Sequence, residues 1–349
     1  MCFTSMKGKL KYLNLLGLAL LIIILLKIDI GQTLSYLRNA DYRFLLMAYP
    51  FILLLIVLKS VRWNLLMRNQ GVRFPFLETF SVYLWGFYFG VVTPGRIGEA
   101  SKALYVKERF GTFGQSFVAV VVDRVFDLAM RTGLLFILYP LYSELFDFQI
   151  IGFFILLIIL AVGIVILIRM RTIQNIIGKL STFILPARYY PRIRKNISGF
   201  INDTVAIARN IRLMIIATLF SFLAILCYSI ISYLILMSYN IRMDYLYNFL
   251  CIIVGSLMAI IPISISGLGV REATMIYLFS NVGLDKESAV LFSLSLFSIN
   301  ILLGIHGALV NVIMMVRGFR KVKEDGEGNV VIGDGRSVTG EGHRVTGDQ

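Results

Sequence analysis

What most constrains this chain is a series of apolar runs long enough to cross a lipid bilayer. A spanning helix needs about 20 residues, and such runs occur at Tyr12–Ile28, Phe44–Val61, Ile150–Ile168, Leu213–Ser238 and Ser288–Val316. A further run, Ser116–Tyr139, is long enough but carries Asp123, Arg124, Asp127 and Arg131. Two more, Phe76–Val92 and Tyr247–Ile261, end in glycine-rich breaks. In lipid every backbone polar group needs a partner within the protein, so these runs form helices. The expected fold is an all-α polytopic membrane protein with about six full transmembrane helices. Composition agrees, since 349 residues that are 58% hydrophobic and 15% charged cannot cover a soluble surface.

The formal net charge is +14, yet the basic residues collect in short loops beside apolar runs. That placement reads as topology and contact with anionic headgroups, and excludes nucleic acid as the expected partner. Cys2, Cys227 and Cys251 are odd in number and two lie in apolar runs, so they behave as small hydrophobes with no disulfide framework or metal spacing. There is no Walker loop, zinc spacing, nucleophile elbow or dinucleotide fingerprint. No cofactor or metal is therefore expected, and no catalytic residue is assigned. The basic start and first apolar run resemble a signal peptide, but no small-residue cleavage site follows Leu25-Leu26-Lys27, so the run is read as a retained helix.

Lys and Arg in short loops mark the cytoplasmic side. Lys7, Lys9 and Lys11 place the N-terminus inside, and the mixed loop with Asp29, Arg38, Asp41 and Arg43 lies outside. Lys59, Arg62, Arg68 and Arg73 are read as returning the chain inside. If Phe76–Val92 crossed fully, Lys102, Lys107 and Arg109 would be stranded outside; if it turns back at Pro94-Gly95 they stay inside. Glu144 and Asp147 then mark an outer loop, and the basic stretch 169–212 is cytoplasmic. Leu213–Ser238 goes out again, a second hairpin enters from outside and returns to Asp285-Lys286-Glu287, and the last helix ends inside at Arg317, Arg320, Lys321 and Lys323. The expectation is two re-entrant broken-helix hairpins in an inverted repeat, a recurring transporter design. Its halves cover about 10–140 and 149–318 of a transmembrane domain spanning 1–318. Residues 173–211 are expected to hold amphipathic helices on the inner surface, attracted to anionic lipid, and the polar tail 319–349 to be disordered.

Both breaks carry charge. The first, Thr93-Pro94-Gly95-Arg96-Ile97-Gly98-Glu99-Ala100, brings Arg96 and Glu99 to a point where the backbone ladder is interrupted. The second, Pro262 through Gly267-Leu268-Gly269-Val270-Arg271-Glu272-Ala273, repeats the pattern, with Ser264 and Ser266 as hydroxyl partners. Irregular backbone at membrane depth is tolerated where it is buried in protein or lines a wet cavity. A half-helix starting near Pro94 would aim unpaired N–H groups inward as an anion site. The alternative is a tight turn whose glycines only permit close packing.

Ionisable residues inside a span are costly and point to function. Asp123, Asp127 and Arg131 follow i, i+4, i+8 spacing on one face, and helical spacing lets Asp127 pair with both Arg124 and Arg131. Two compatible readings stay open: a structural ion-pair cluster, or an arginine holding an anionic headgroup through its guanidinium fork. Glu99 would bind a cation or neutralise Arg124. His306 is either a coupling residue, titrating near neutral pH, or a helix-packing hydrogen bonder, and the second is preferred for a lone histidine.

At Thr93-Pro94-Gly95-Arg96-Ile97-Gly98-Glu99, Asp123-Arg124-Val125-Phe126-Asp127 and Pro262 through Gly269 to Glu272, the chain resembles the flippase-like domain family, the transmembrane region of lysylphosphatidylglycerol synthases. The likeness covers about residues 10–318. In two-domain members it implies a region that moves an aminoacylated phospholipid between leaflets while a soluble domain makes it. That soluble domain is not in this sequence, so the resemblance does not carry a transferase activity, and it leaves the transported lipid open.

The sequence thus points to a lipid translocase of the cytoplasmic membrane with both termini inside. Its substrate would be a phospholipid or a polyprenyl-phosphate-linked lipid. The headgroup would meet Arg96, Glu99, Arg124, Asp127, Arg131, Arg271 and Glu272 between hairpins broken at Pro94, Gly95, Gly98, Pro262, Gly267 and Gly269, with Asp123 and His306 in a network or coupling role. The rivals are a membrane-embedded aminoacyl- or glycosyl-transferase and a non-transporting partner of a separate synthase. A homo-oligomer is a further open partner.

Overall fold

The computed structural model describes residues 23–27, 29–73, 75–93, 96–110, 113–145, 190–260 and 267–316, with short stretches at 323–324, 330–332 and 336–337. Within these the protein is built from helices: α1 (Ile30–Arg38), α2 (Tyr42–Asn69), α3 (Phe76–Val92), a 3-10 turn (Ile97–Ala100), α4 (Ser101–Phe110) and α5 (Phe113–Leu138). Then come α6 (Tyr190–Arg209), α7 (Ile211–Ser238), α8 (Tyr245–Met258), α9 (Val270–Ser280) and α10 (Lys286–Val316). It is an all-α membrane protein, and α2, α7 and residues 286–310 of α10 are each apolar and long enough to span. The expected runs Tyr12–Ile28 (apart from its residues 23–27) and Ile150–Ile168, and most of the basic stretch before Tyr190, lie outside the described residues.

Polar residues punctuate the apolar runs and fix where helices start. The Asp41 carboxylate accepts from Arg43 N at the head of α2, Asn210 from Leu213 N at the head of α7, and Asp244 from Tyr247 N at the head of α8. Each satisfies an amide that the first helical turn leaves without a partner.

Contacts between these caps and loops define two ends of the bundle. At one end, Asp41 N donates to Ser238 O at 2.8 Å, Tyr36 Oη donates to Asp285 Oδ1 at 3.0 Å and Asp29 N donates to Glu287 Oε1 at 3.2 Å. Tyr142 Oη joins this end by donating to Asp244 Oδ2 at 2.7 Å. That hydrogen bond, with the helix-cap amides, holds the Asp244 carboxyl below the usual carboxylate range. Burial, together with Asp244, pushes the Tyr142 phenol up to about 12. At the opposite end, Asn210 Nδ2 donates to Asn69 Oδ1 at 2.9 Å and Gln70 Nε2 donates to Asp203 O at 3.1 Å.

Against these ends, α3 and α4 form a helical hairpin. Tyr105 Oη on α4 donates to Glu78 Oε1 in the first turn of α3 at 2.9 Å, so the chain has come back to where it entered. The second hairpin is built the same way from the other end: Tyr247 Oη in the first turn of α8 donates to Leu278 O near the end of α9 at 2.6 Å. The packing is paired throughout. Helices α2 and α7 lie against each other, α3 packs on α10 as α8 packs on α5, and α4 packs on α5 as α9 packs on α10. Two glycines are required by these turns. A Cβ on Gly98 would run into the Phe89 carbonyl, and Gly267 has φ +80° with Ala259 Cβ 2.5 Å from where its own Cβ would sit.

Beyond α10 the polar tail, expected to be disordered, carries three short antiparallel strands, β1 (Lys323–Glu324), β2 (Val330–Ile332) and β3 (Arg336–Ser337), in the order β1-β2-β3.

Candidate functional site

The first break is stitched by Thr93. Its hydroxyl donates to Phe89 O at 2.8 Å and accepts from Gly98 N at 2.7 Å, closing the turn between α3 and the 3-10 segment. The following Arg96 sits at φ 57°, in the left-handed region, where a residue with a Cβ is strained by about 1–2 kcal/mol. Such strain persists only where surroundings over-determine it, and it clusters at functional sites. Here it turns the Arg96 side chain towards α10: Nη2 donates to Asn300 Oδ1 at 3.1 Å and the guanidinium lies 5.3 Å from the Phe87 ring centroid. Pro94, Gly95, Pro262, Ser264 and Ser266 lie outside the described residues.

Behind Arg96 lies a buried network of charge. Glu99, 2% exposed, pairs with Arg124 on α5 and has Lys102 Nζ at 3.6 Å. Lys102 is also 3.6 Å from Asp123, and its ammonium rests 4.0 Å from the centre of the Tyr83 ring. Asp123 holds Arg62 of α2 at 2.8 Å, and Arg62 reaches Asp127 at 2.7 Å while donating to Ser221 Oγ on α7 at 2.6 Å. Asp127 in turn takes Lys59 at 3.1 Å and Arg131 at 3.8 Å. The second hairpin has its own, smaller cluster. Arg271 donates to Glu272 Oε1 at 2.9 Å and to Ser293 Oγ at 2.8 Å, and Glu272 accepts from Gly269 N at 2.5 Å.

Several expectations need correction. The sequence expectation puts Lys59, Arg62 and Lys102 on the cytoplasmic side as marks of topology. Instead they are 8%, 0% and 0% exposed, in α2 and α4, and Arg62 and Lys59 are the principal counter-ions of Asp123 and Asp127, with Lys102 more distant. Asp127 was expected to pair with both Arg124 and Arg131; it takes Arg131, whereas Arg124 turns to Glu99. The cue available is that Arg62 is followed by seven further helical residues, Trp63 to Asn69, so the basic pair does not end its helix. What the sequence lacked was any sign of which helix would face it.

The two clusters meet at a cavity of about 440 Å³ between the hairpins. Arg96, Glu99, Arg124, Asp127, Arg131 and Arg271 line it with Lys59, Tyr228, Ser256 and Asn300, and apolar side chains including Leu55, Val121, Ile252 and Ile299 form the remaining wall. Asp123 and Glu272 stand behind this lining, each bonded to a cation that contacts it or its neighbours. His306 is not part of the lining. It makes a 2.7 Å hydrogen bond with Leu302 O and a 3.3 Å one with Tyr49 Oη, the packing role preferred for it. Among the described residues, seven cations (Lys59, Arg62, Arg96, Lys102, Arg124, Arg131, Arg271) face four carboxylates (Glu99, Asp123, Asp127, Glu272), a formal excess of three positive charges.

The arrangement is a polar chamber inside an apolar bundle, suited to receive a charged group attached to an apolar body. No group of three or more His, Cys, Asp or Glu among the described residues is placed to hold a metal ion. Comparison with known proteins agrees with the membrane architecture. The chain is 26% identical over 303 residues to a UPF0104 membrane protein of Pyrococcus horikoshii, covering 80% of this chain and 90% of that one. It is 22% identical over 302 residues to a UPF0104 membrane protein of Methanocaldococcus jannaschii, covering 81% and 88%. No solved structure matches. The model of the lysylphosphatidylglycerol synthase TM region matches residues 14–306, and the chain belongs to that family.

Proposed function

We propose that this protein is a lipid translocase of the cell membrane, in which a headgroup passes through the chamber between the two hairpins while the acyl or prenyl tails stay in the bilayer. The observation that carries the proposal is the cavity of about 440 Å³, lined by Lys59, Arg96, Arg124, Arg131 and Arg271 among largely apolar side chains, at the junction of two broken helices. Its size falls within the range of sites for drug-sized ligands.

The re-entrant and inverted-repeat reading belongs to this proposal. The hairpin legs α3 and α8 are 17 and 14 residues long, and the return legs α4 and α9 are 10 and 11. All fall short of the roughly 20 residues that a full crossing takes. The matched packing of the halves supports a two-fold relation between them. In this proposal both termini lie on the cytoplasmic side, where the basic segment ending in α6 would meet anionic lipid.

The test is reconstitution into liposomes carrying fluorescent phospholipids and polyprenyl-phosphate lipids, with leaflet exchange measured against protein-free vesicles. Exchange faster than the empty-vesicle rate, and lost in Arg124→Ala at equal incorporation, is the expected result. No acceleration for any lipid overturns the translocase reading, and lipid analysis of a deletion strain in which a lipid product vanishes instead of being misplaced favours a transferase.

A further inference from the structure

The chamber offers both signs of charge on its wall, so either an anionic or a cationic headgroup would seem suited to it. The ion pairs decide between them. Each carboxylate already has an arginine: Glu99 has Arg124, Asp127 has Arg62 and Arg131 as well as Lys59, Asp123 has Arg62, and Glu272 has Arg271. None is left to receive an ammonium group without breaking a buried pair, which is strongly destabilising. Arg96 is the opposite case. It faces the cavity, its polar partner among the described residues is the neutral Asn300 carbonyl, and no carboxylate there lies within ion-pair distance.

We propose that the chamber selects a net-anionic, phosphate-bearing lipid headgroup, with Arg96 supplying the unneutralised guanidinium that captures the phosphate. This rests on the translocase reading and narrows its substrate to a class. It argues against a headgroup whose net charge is positive, including a lysyl ester. The guanidinium fork matches two phosphate oxygens at once. The Asn300 amide and the Phe87 face hold the fork open in the absence of ligand, and Arg271 comes to the same cavity from the second hairpin. The left-handed backbone at Arg96 fits this role, because it spends conformational energy on aiming one side chain.

The test separates charge class from transport. Full-length protein in phosphatidylcholine nanodiscs is titrated with short-chain phosphatidic acid, with short-chain lysyl-phosphatidylglycerol and with inorganic phosphate, and thermal stabilisation is read. Phosphatidic acid should bind at least tenfold more tightly than lysyl-phosphatidylglycerol, and inorganic phosphate more weakly than phosphatidic acid. Asparagine tolerates the left-handed region, so Arg96→Asn should fold normally and lose roughly tenfold to a hundredfold in phosphatidic acid affinity, while Arg96→Lys keeps part of it. Tighter binding of the lysyl lipid, or Arg96→Asn binding with unchanged preference, overturns the proposal. Inorganic phosphate binding as well as the lipid overturns the lipid source. If the lysyl lipid crosses fastest in liposomes, translocation stands and the charge inference falls; Arg96-dependent phosphatidic acid binding without any leaflet exchange leaves the charge inference standing and removes translocation.

Discussion

Removing Arg62 should be among the most damaging single changes in the protein. Its side chain is 0% exposed and carries Asp123 at 2.8 Å and Asp127 at 2.7 Å, besides the Ser221 hydroxyl. In Arg62→Met the apolar volume is roughly kept, but two buried carboxylates lose their shared cation. Asp123 is left with Lys102 at 3.6 Å and the Tyr83 hydroxyl at 3.4 Å, neither a close charge-assisted bond. Asp127 fares better, because Lys59 remains at 3.1 Å. Breaking one side of a buried ionic cluster costs about 3–5 kcal/mol, and the loss falls mainly on Asp123. Neutralising that residue should therefore rescue. Arg62→Met with Asp123→Asn is expected to be more stable than the sum of the single changes by about 1–3 kcal/mol. The assay is equilibrium unfolding in bicelles by steric trapping, with incorporation and oligomeric state controlled. A cost below about 1 kcal/mol for Arg62→Met, or a double variant no better than additive, would refute the reasoning that this network is held by mutual neutralisation.

Lys102 should behave in the opposite way. Among the described residues its ammonium has no hydrogen-bond acceptor in reach, while Glu99 and Asp123 keep Arg124 and Arg62, so Lys102→Met should change stability by less than about 1 kcal/mol or raise it; unfolding titrations that show a loss above about 3 kcal/mol would place it with Arg62. Gly98→Ala drives a methyl into the Phe89 carbonyl and should cost about 3 kcal/mol, visible as a reduced folded fraction at matched expression; a wild-type melting profile speaks against the tight first turn. The Tyr142–Asp244 tie gives a pH dependence of known sign. A carboxyl depressed in the folded state adds stability above its unfolded value near about pH 4, and that stability fades as pH falls through the lower folded value. Wild-type melting temperature should therefore drop more than that of Tyr142→Phe on acidification from pH 6 to about 3, and parallel curves would show that the tie contributes nothing.

Much of the architecture is legible in the residues because lipid leaves few options. The start and end of α3 coincide with the apolar run Phe76–Val92, α7 and α10 start two residues before their predicted runs, α5 starts three residues early and stops one short, and α2 runs eight residues past Val61 to Asn69. The Glu99–Arg124 pair was also readable, since an acid at a break and an arginine inside a span each need a partner. Lys59, Arg62 and Lys102 were not. A cation near the end of an apolar run looks the same whether it snorkels to a headgroup or turns inward, and the choice depends on Asp123 and Asp127 of α5 being packed alongside. Sequence spacing also favoured Asp127 for Arg124, but the returning hairpin puts Glu99 closer. Neighbours across helices, unlike neighbours along one, leave no period to read.

The claim on which the rest stands is that the two hairpins enter from opposite faces and enclose one chamber. Single cysteines at Lys107 on α4 and at Lys286, the first residue of α10, both exposed, can be labelled in intact cells with a membrane-impermeant maleimide. Lys286→Cys reacting from outside while Lys107→Cys reacts only after the cells are opened is the result expected. Both sites labelled from the same side would contradict it.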